Sequence, residues 1–123
     1  MKFEYKARRI ADLRNRVKGP KPKKPASAFH RGRKFEWVVR KHFQCLGFFV
    51  LRSAASRTPV DLIAVKLGML LFIQCKLKQE LSKGERTELG ALAEHCGAIA
   101  IAASIWGMKR INALGEMSTD LPF

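Results

Sequence analysis

The sequence predicts an α/β domain, a mixed β-sheet flanked by helices, with a basic N-terminal extension. Three observations carry this. Residues 31–46 and 82–96 repeat apolar side chains at helical spacing, and a glycine follows each stretch. Short β-rich runs lie between and after them, one almost continuously apolar. Positive charge is concentrated at one end of the chain.

The charge sets the domain boundary. Of the net +14, residues 1–34 contribute +11, thirteen Lys/Arg against Glu4 and Asp12. Residues 35–123 hold eleven Lys/Arg and eight acids, only +3. Residues 1–17 can form a short basic helix on Phe3, Ala7, Ile10, Leu13 and Val17. Residues 18–27, with three prolines and four lysines, read as an extended linker. Residues 1–27 are therefore a basic extension and residues 28–123 the folded domain.

A basic segment beside a near-balanced domain points to a polyanionic partner. Nucleic acid is favoured over a membrane surface, because the first helix is only modestly amphipathic. No apolar run is long enough to span a membrane and no signal peptide opens the chain, so an intracellular, cytoplasmic protein is expected. Three cysteines without a C-x-x-C pair argue against a disulfide framework. Cys45 and Cys96, near helix ends, read as small buried thiols.

The first helix of the domain places Phe35, Val38, Val39, His42, Phe43 and Leu46 on one stripe, and Gly47 stops it. Residues 48–54 form a short strand, and Ser53 to Pro59 a loop. Residues 61–66 and 69–76 form two more strands around a Leu67-Gly68 turn. Ser82 and Glu85 make an S-x-x-E capping box for the second helix, whose stripe is Leu89, Leu92, Ala93 and Cys96. Residues 98–106 suit a strand covered on both faces. Residues 109–114 can add an edge strand, and Trp106, Met108 and Leu121-Pro122-Phe123 can serve an apolar interface, with the core as an equal place for Trp106.

The chemistry is concentrated on the central hairpin. With Leu67-Gly68 at the turn, Lys66 pairs with Met69 and paired positions sum to 135, which sets Asp61 opposite Gln74. Lys76, two residues further on, points to the same face as Gln74. One end of a greasy hairpin then presents a carboxylate, an amide and an ammonium together. Asp61 and Lys76 could be a plain surface ion pair. However, Glu36 lies at the edge of the first helix's stripe, beside Val39 and Phe43, where it can lean over the sheet. The loop before Asp61 also carries Arg52, Ser53, Ser56, Arg57 and Thr58, all suited to phosphate contact.

Glu36, the run LRSAASRTPVD ending at Asp61, and Gln74-Cys75-Lys76 together resemble the PD-(D/E)xK nuclease superfamily. Within it the pattern is most similar to the archaeal-type Holliday junction resolvases, over about residues 31–115. The usual proline before the aspartate is replaced by Val60, and Gln74 stands where that family usually has Glu. The resemblance implies a restriction-endonuclease-like fold, a homodimer, and metal-dependent cleavage of four-way DNA junctions by paired nicks. It implies that Asp61, Gln74 and the Cys75 carbonyl hold Mg²⁺, or Mn²⁺ in its place, with Glu36 as a further ligand to metal or water. Lys76 would stabilise developing charge, and Ser56 would contact the phosphate near the cut, Ser53 being the alternative. Arg31, Arg33, Lys34, Arg52, Ser53, Arg57 and Lys78 would contact DNA. Three alternatives remain, a restriction-like or repair nuclease acting on duplex DNA, a non-catalytic DNA-binding module, and a basic RNA-binding or ribosome-associated protein, against which stands the lack of an aromatic-rich strand for stacking bases.

Overall fold

The computed structural model describes residues 28–53 and 58–123. The expectations for the extension, and for Ser56 and Arg57, lie outside those residues. Chain order is α1 (Ala28–Cys45), β1 (Phe49–Arg52), β2 (Leu62–Lys66), β3 (Met69–Cys75), α2 (Lys83–Cys96), β4 (Ile99–Ser104), β5 (Gly107–Ile111) and β6 (Met117–Ser118). The strands form one sheet in sequence order. All neighbours are antiparallel except β3 and β4, which run parallel because α2 crosses between them.

The two helices cover opposite faces of the sheet. On one side Phe35, Val39 and Phe43 of α1 meet Val50, Leu62, Ala64, Leu71, Ile73, Ile101 and Ala103. On the other, Leu89 and Ala93 of α2 meet Phe72, Ala100 and Ile111. Successive residues of β3 and β4 therefore enter different cores, which is why these strands read as continuous apolar runs. The helices bury one stripe each, as their spacing requires.

The hairpin has the expected register, with Lys66 facing Met69 and Leu62 facing Ile73. Its turn takes positive φ at both central residues, 42° at Leu67 and 80° at Gly68. Such a two-residue turn matches the twist of the flanking strands. Glycine adopts it freely, whereas Leu67 adopts it with its side chain almost wholly in solvent.

Several sequence expectations need correction. Cys45 and Cys96 are exposed, because each sits on the outer side of its helix terminus. The strand expected at residues 109–114 is β5, which begins earlier, at Gly107, ends at Ile111, and is not the edge because the two-residue β6 pairs beside it. Of the two places open to Trp106 the core is excluded, because it lies in the β4–β5 turn with its indole exposed. Met108 is buried in the α1-side core rather than at a surface, and Leu121 and Phe123 pack half-buried against that core, the Phe123 ring edge-on to Phe43 at 5.1 Å.

Gly90 is a glycine of a different kind, in the middle of α2. A Cβ there would come within 2.1 Å of the Asn112 carbonyl oxygen. That carbonyl accepts from Gly115 N–H, and the Asn112 side chain accepts from Leu114 and Glu116 N–H, so it cannot yield easily. Gly90→Ala should destabilise the domain by about 1–3 kcal/mol through overpacking, although alanine is the better helix former by about 1 kcal/mol. A urea titration measures this. An unchanged midpoint would show that the 112–116 turn moves aside.

Candidate active site

The polar residues gather where β2 begins and β3 ends. Asp61 lies just before β2 and is half-buried. Its N–H donates to the Ile73 carbonyl at 2.9 Å, and Ser53 N–H donates to the Asp61 carbonyl at 2.9 Å. Ile73 already faces Leu62 in the ladder. Two residues of one strand thus oppose one of the other, in the manner of a bulge, which re-aims a side chain at a strand end. The ladder consequently stops before an Asp61–Gln74 pair, and the expected direct opposition is not made. Instead Asp61 Oδ2 accepts the Cys75 N–H at 2.7 Å.

Two ion pairs flank this carboxylate. From β1, Arg52 Nε donates to Glu36 Oε1 of α1 at 2.6 Å. Lys76 Nζ, just past β3, meets Glu85 Oε2 of α2 at 2.7 Å. Gln74 Nε2 lies 3.5 Å from that same Glu85 oxygen. Gln74 and Lys76 also line a cleft of about 200 Å³ between the end of α2's approach loop and the β4–β5 turn, with Trp106 and Lys109 on its wall.

The electrostatics follow from this layout. Burial raises the Asp61 carboxyl above the ordinary range. The Cys75 N–H opposes that, the Glu36 charge adds to it, and Lys76 and Arg52 pull it back. Burial pushes the Cys75 thiol well up, and the Asp61 and Glu36 charges push it further, so this thiol stays protonated and unreactive. Glu85 is held below the usual carboxylate range, first by its bond to Lys76 and then by the Ser82 N–H.

A divalent cation can be tested against these groups. Among the described residues no three His, Cys, Asp or Glu side chains are clustered for a metal. The donors present are oxygens, the carboxylates of Asp61 and Glu36 and the Gln74 amide. Gln74 Oε1 is buried and accepts no hydrogen bond. An orphaned acceptor at the same strand end as the half-buried Asp61 suits a hard cation such as Mg²⁺, which typically takes one or two carboxylates and keeps several waters. The residues fit the group.

Residues 27–105 match the archaeal Holliday junction resolvase (hjc) family. The chain belongs to this family. The solved structure of Hjc from Archaeoglobus fulgidus, a Holliday junction resolvase from an archaeal hyperthermophile, superposes with a TM-score of 0.55. The two are 24% identical, over 68% of this chain and 73% of that one. That likeness supports the restriction-endonuclease-like sheet. No curated protein sequence matches the chain.

The structure gathers Glu36, Arg52, Asp61, Gln74, Cys75 and Lys76 at one end of the sheet. Ser53 is nearby, its hydroxyl 3.3 Å from that of Thr58. Arg31, Arg33 and Lys34 are exposed on the first turns of α1, and Lys78 is exposed past β3. Glu85 has a second role beyond the helix cap that its spacing from Ser82 predicts. Its Oε1 accepts Ser82 N–H at 3.1 Å while Ser82 Oγ accepts Glu85 N–H, so the capping box is made. Its other oxygen enters the site. Only the packing of α2 against β3 could show that.

The raised Asp61 carboxyl has a consequence for stability. The folded protein holds this proton more tightly than the unfolded chain does. Stability is thus unaffected below the ordinary aspartate range and is lost as pH rises through the raised folded value. Asp61→Asn keeps an oxygen for the Cys75 N–H and removes the charge. It should raise Tm at neutral pH by on the order of a few degrees, with the difference vanishing in acid. Melts from pH 3 to 8 check this, and a constant difference would remove charge burial as the cause.

Proposed function

We propose that this protein is a metal-dependent endonuclease that resolves four-way DNA junctions by paired nicks, acting as a homodimer. The observation that carries the reading is a half-buried carboxylate, Asp61, set between Glu36 and Lys76 at the strand end of a chain of the resolvase family. Asp61, Gln74 Oε1 and the Cys75 carbonyl would hold Mg²⁺ or Mn²⁺, with Glu36 as a further ligand once Arg52 turns to phosphate. When bound, such a cation polarises a phosphoryl oxygen and lowers the pKa of a coordinated water.

The chain's own residues supply the rest. Asp61 is fixed by the Cys75 N–H and keeps one oxygen for ligation. The Lys76 ammonium stabilises the charge that develops on the phosphoryl group and positions the attacking water. Ser56, with Ser53 as the alternative, contacts the phosphate near the cut. Arg31, Arg33, Lys34, Arg52, Arg57 and Lys78 hold the flanking strands, and the basic extension adds sequence-independent attraction to the duplex arms.

Support for a homodimer comes from the face of β1 and β2 that α2 leaves uncovered. Phe49 and Leu51 are 66% and 48% exposed on the edge strand, and Val65, paired with Phe49, is 39% exposed. A stripe of this kind, on a strand with a single neighbour among the described residues, is suited to a second copy. Phe49→Glu with Leu51→Glu should convert a dimer to a monomer in sedimentation equilibrium while leaving the fold intact. A parent that sediments as a monomer would remove the dimer from the proposal.

Asp61→Ala and Lys76→Ala should each lower cleavage of a labelled four-way junction in Mg²⁺ by about 10²–10³-fold, with junction affinity nearly unchanged. Equal cutting of the isolated duplex arms would favour a duplex nuclease. A parent that binds junctions but nicks nothing with Mg²⁺ or Mn²⁺ would be a non-catalytic module.

A further inference from the structure

Gln74 removes a negative charge from the strand position beside Lys76, and the space around that lysine is not left uncompensated. Glu85 reaches across from α2, so that one of its oxygens faces both the Lys76 ammonium, at 2.7 Å, and the Gln74 amide, at 3.5 Å. Its other oxygen is occupied by the Ser82 N–H at the helix cap. The side chain is therefore anchored at both oxygens and has little freedom to swing away. Its partner Lys76 is itself only partly exposed.

We propose that Glu85 is a positioning residue of the nuclease centre, supplying from the cap of α2 the carboxylate that Gln74 does not carry on β3. It touches neither the scissile phosphate nor the attacking water. It fixes the ammonium that does, and it turns the Gln74 amide so that Nε2 faces Glu85 and Oε1 is left for other chemistry. The inference rests on the nuclease reading for its kinetic consequences and on geometry alone for its structural one.

Gln serves as well as Glu in a capping box. Glu85→Gln therefore keeps the Ser82 contact and removes only the charge held by Lys76, whereas Glu85→Ala removes both. Gln74→Glu combined with Glu85→Gln exchanges amide and carboxylate across the same contact. It returns the charge to the strand next to Lys76.

The test uses the full chain in two measurements. The first is kcat and KM on a four-way junction in Mg²⁺, with Tm alongside. Glu85→Gln should lower kcat by on the order of 10²-fold, the size of a small misplacement, with KM and Tm close to the parent. The double variant should recover most of the loss. The second is the order parameter of the Lys76 ammonium by ¹⁵N NMR without metal or DNA. It should fall in Glu85→Gln and return in the double variant.

A Glu85→Gln variant with parental kcat and an equally ordered Lys76 would make Glu85 a helix cap and nothing more. A double variant that recovers neither rate nor order would show that the carboxylate is not what Lys76 needs. If the parent cleaves no junction, the nuclease reading falls, and the ammonium order parameter still decides whether Glu85 holds Lys76.

Discussion

The hydrogen bond from the Cys75 N–H to Asp61 Oδ2 closes the open end of the β2–β3 hairpin. At the other end the Leu67-Gly68 turn closes it across two residues. Between these two points the register cannot slip, because a one-residue shift would turn Leu62, Ala64, Leu71 and Ile73 out of the α1-side core. The polar groups inherit that precision. Asp61 sits on the amide of Cys75, and Gln74 and Lys76 lie on either side of that residue.

The site is built at the meeting of two layers. Arg52 and Glu36 bring β1 and α1 to Asp61, and Lys76 and Glu85 bring β3 and α2. Each cation is already matched to a carboxylate, so the free protein carries a balanced cluster rather than a bare positive patch. Asp61 carries the strain, as a charge half out of water with another carboxylate near it. Such a group is poised for a cation and poorly accommodated without one, an exchange of stability for chemistry that is common at functional sites.

Much of this was legible in the sequence. The helices and the hairpin register followed from spacing, because a period of 3.6 or 2 leaves its mark on which residues are apolar. Glu36 was legible as a residue at the edge of a buried stripe. The limits were those of local information. Nothing before Asp61 signals that its N–H turns to Ile73 and breaks the direct opposition to Gln74. Glu85 looked like a cap because its cap partner is three residues away, whereas Lys76 belongs to another element. Cys45 and Cys96 lie at helix ends, where periodicity no longer fixes which side faces the core. The strand β6 has two residues and no pattern to read.

The single parallel contact in the sheet, β3 beside β4, divides the site between a hairpin and a crossover. The hairpin alone brings Asp61 to Cys75, through the two-residue turn at its far end. Lys76 meets Glu85 where the chain leaves β3 for α2, so that contact depends on how α2 seats on the sheet. Loosening of α2 would free the lysine while leaving the aspartate in place, and the two halves of the cluster can therefore be uncoupled by movement of one helix.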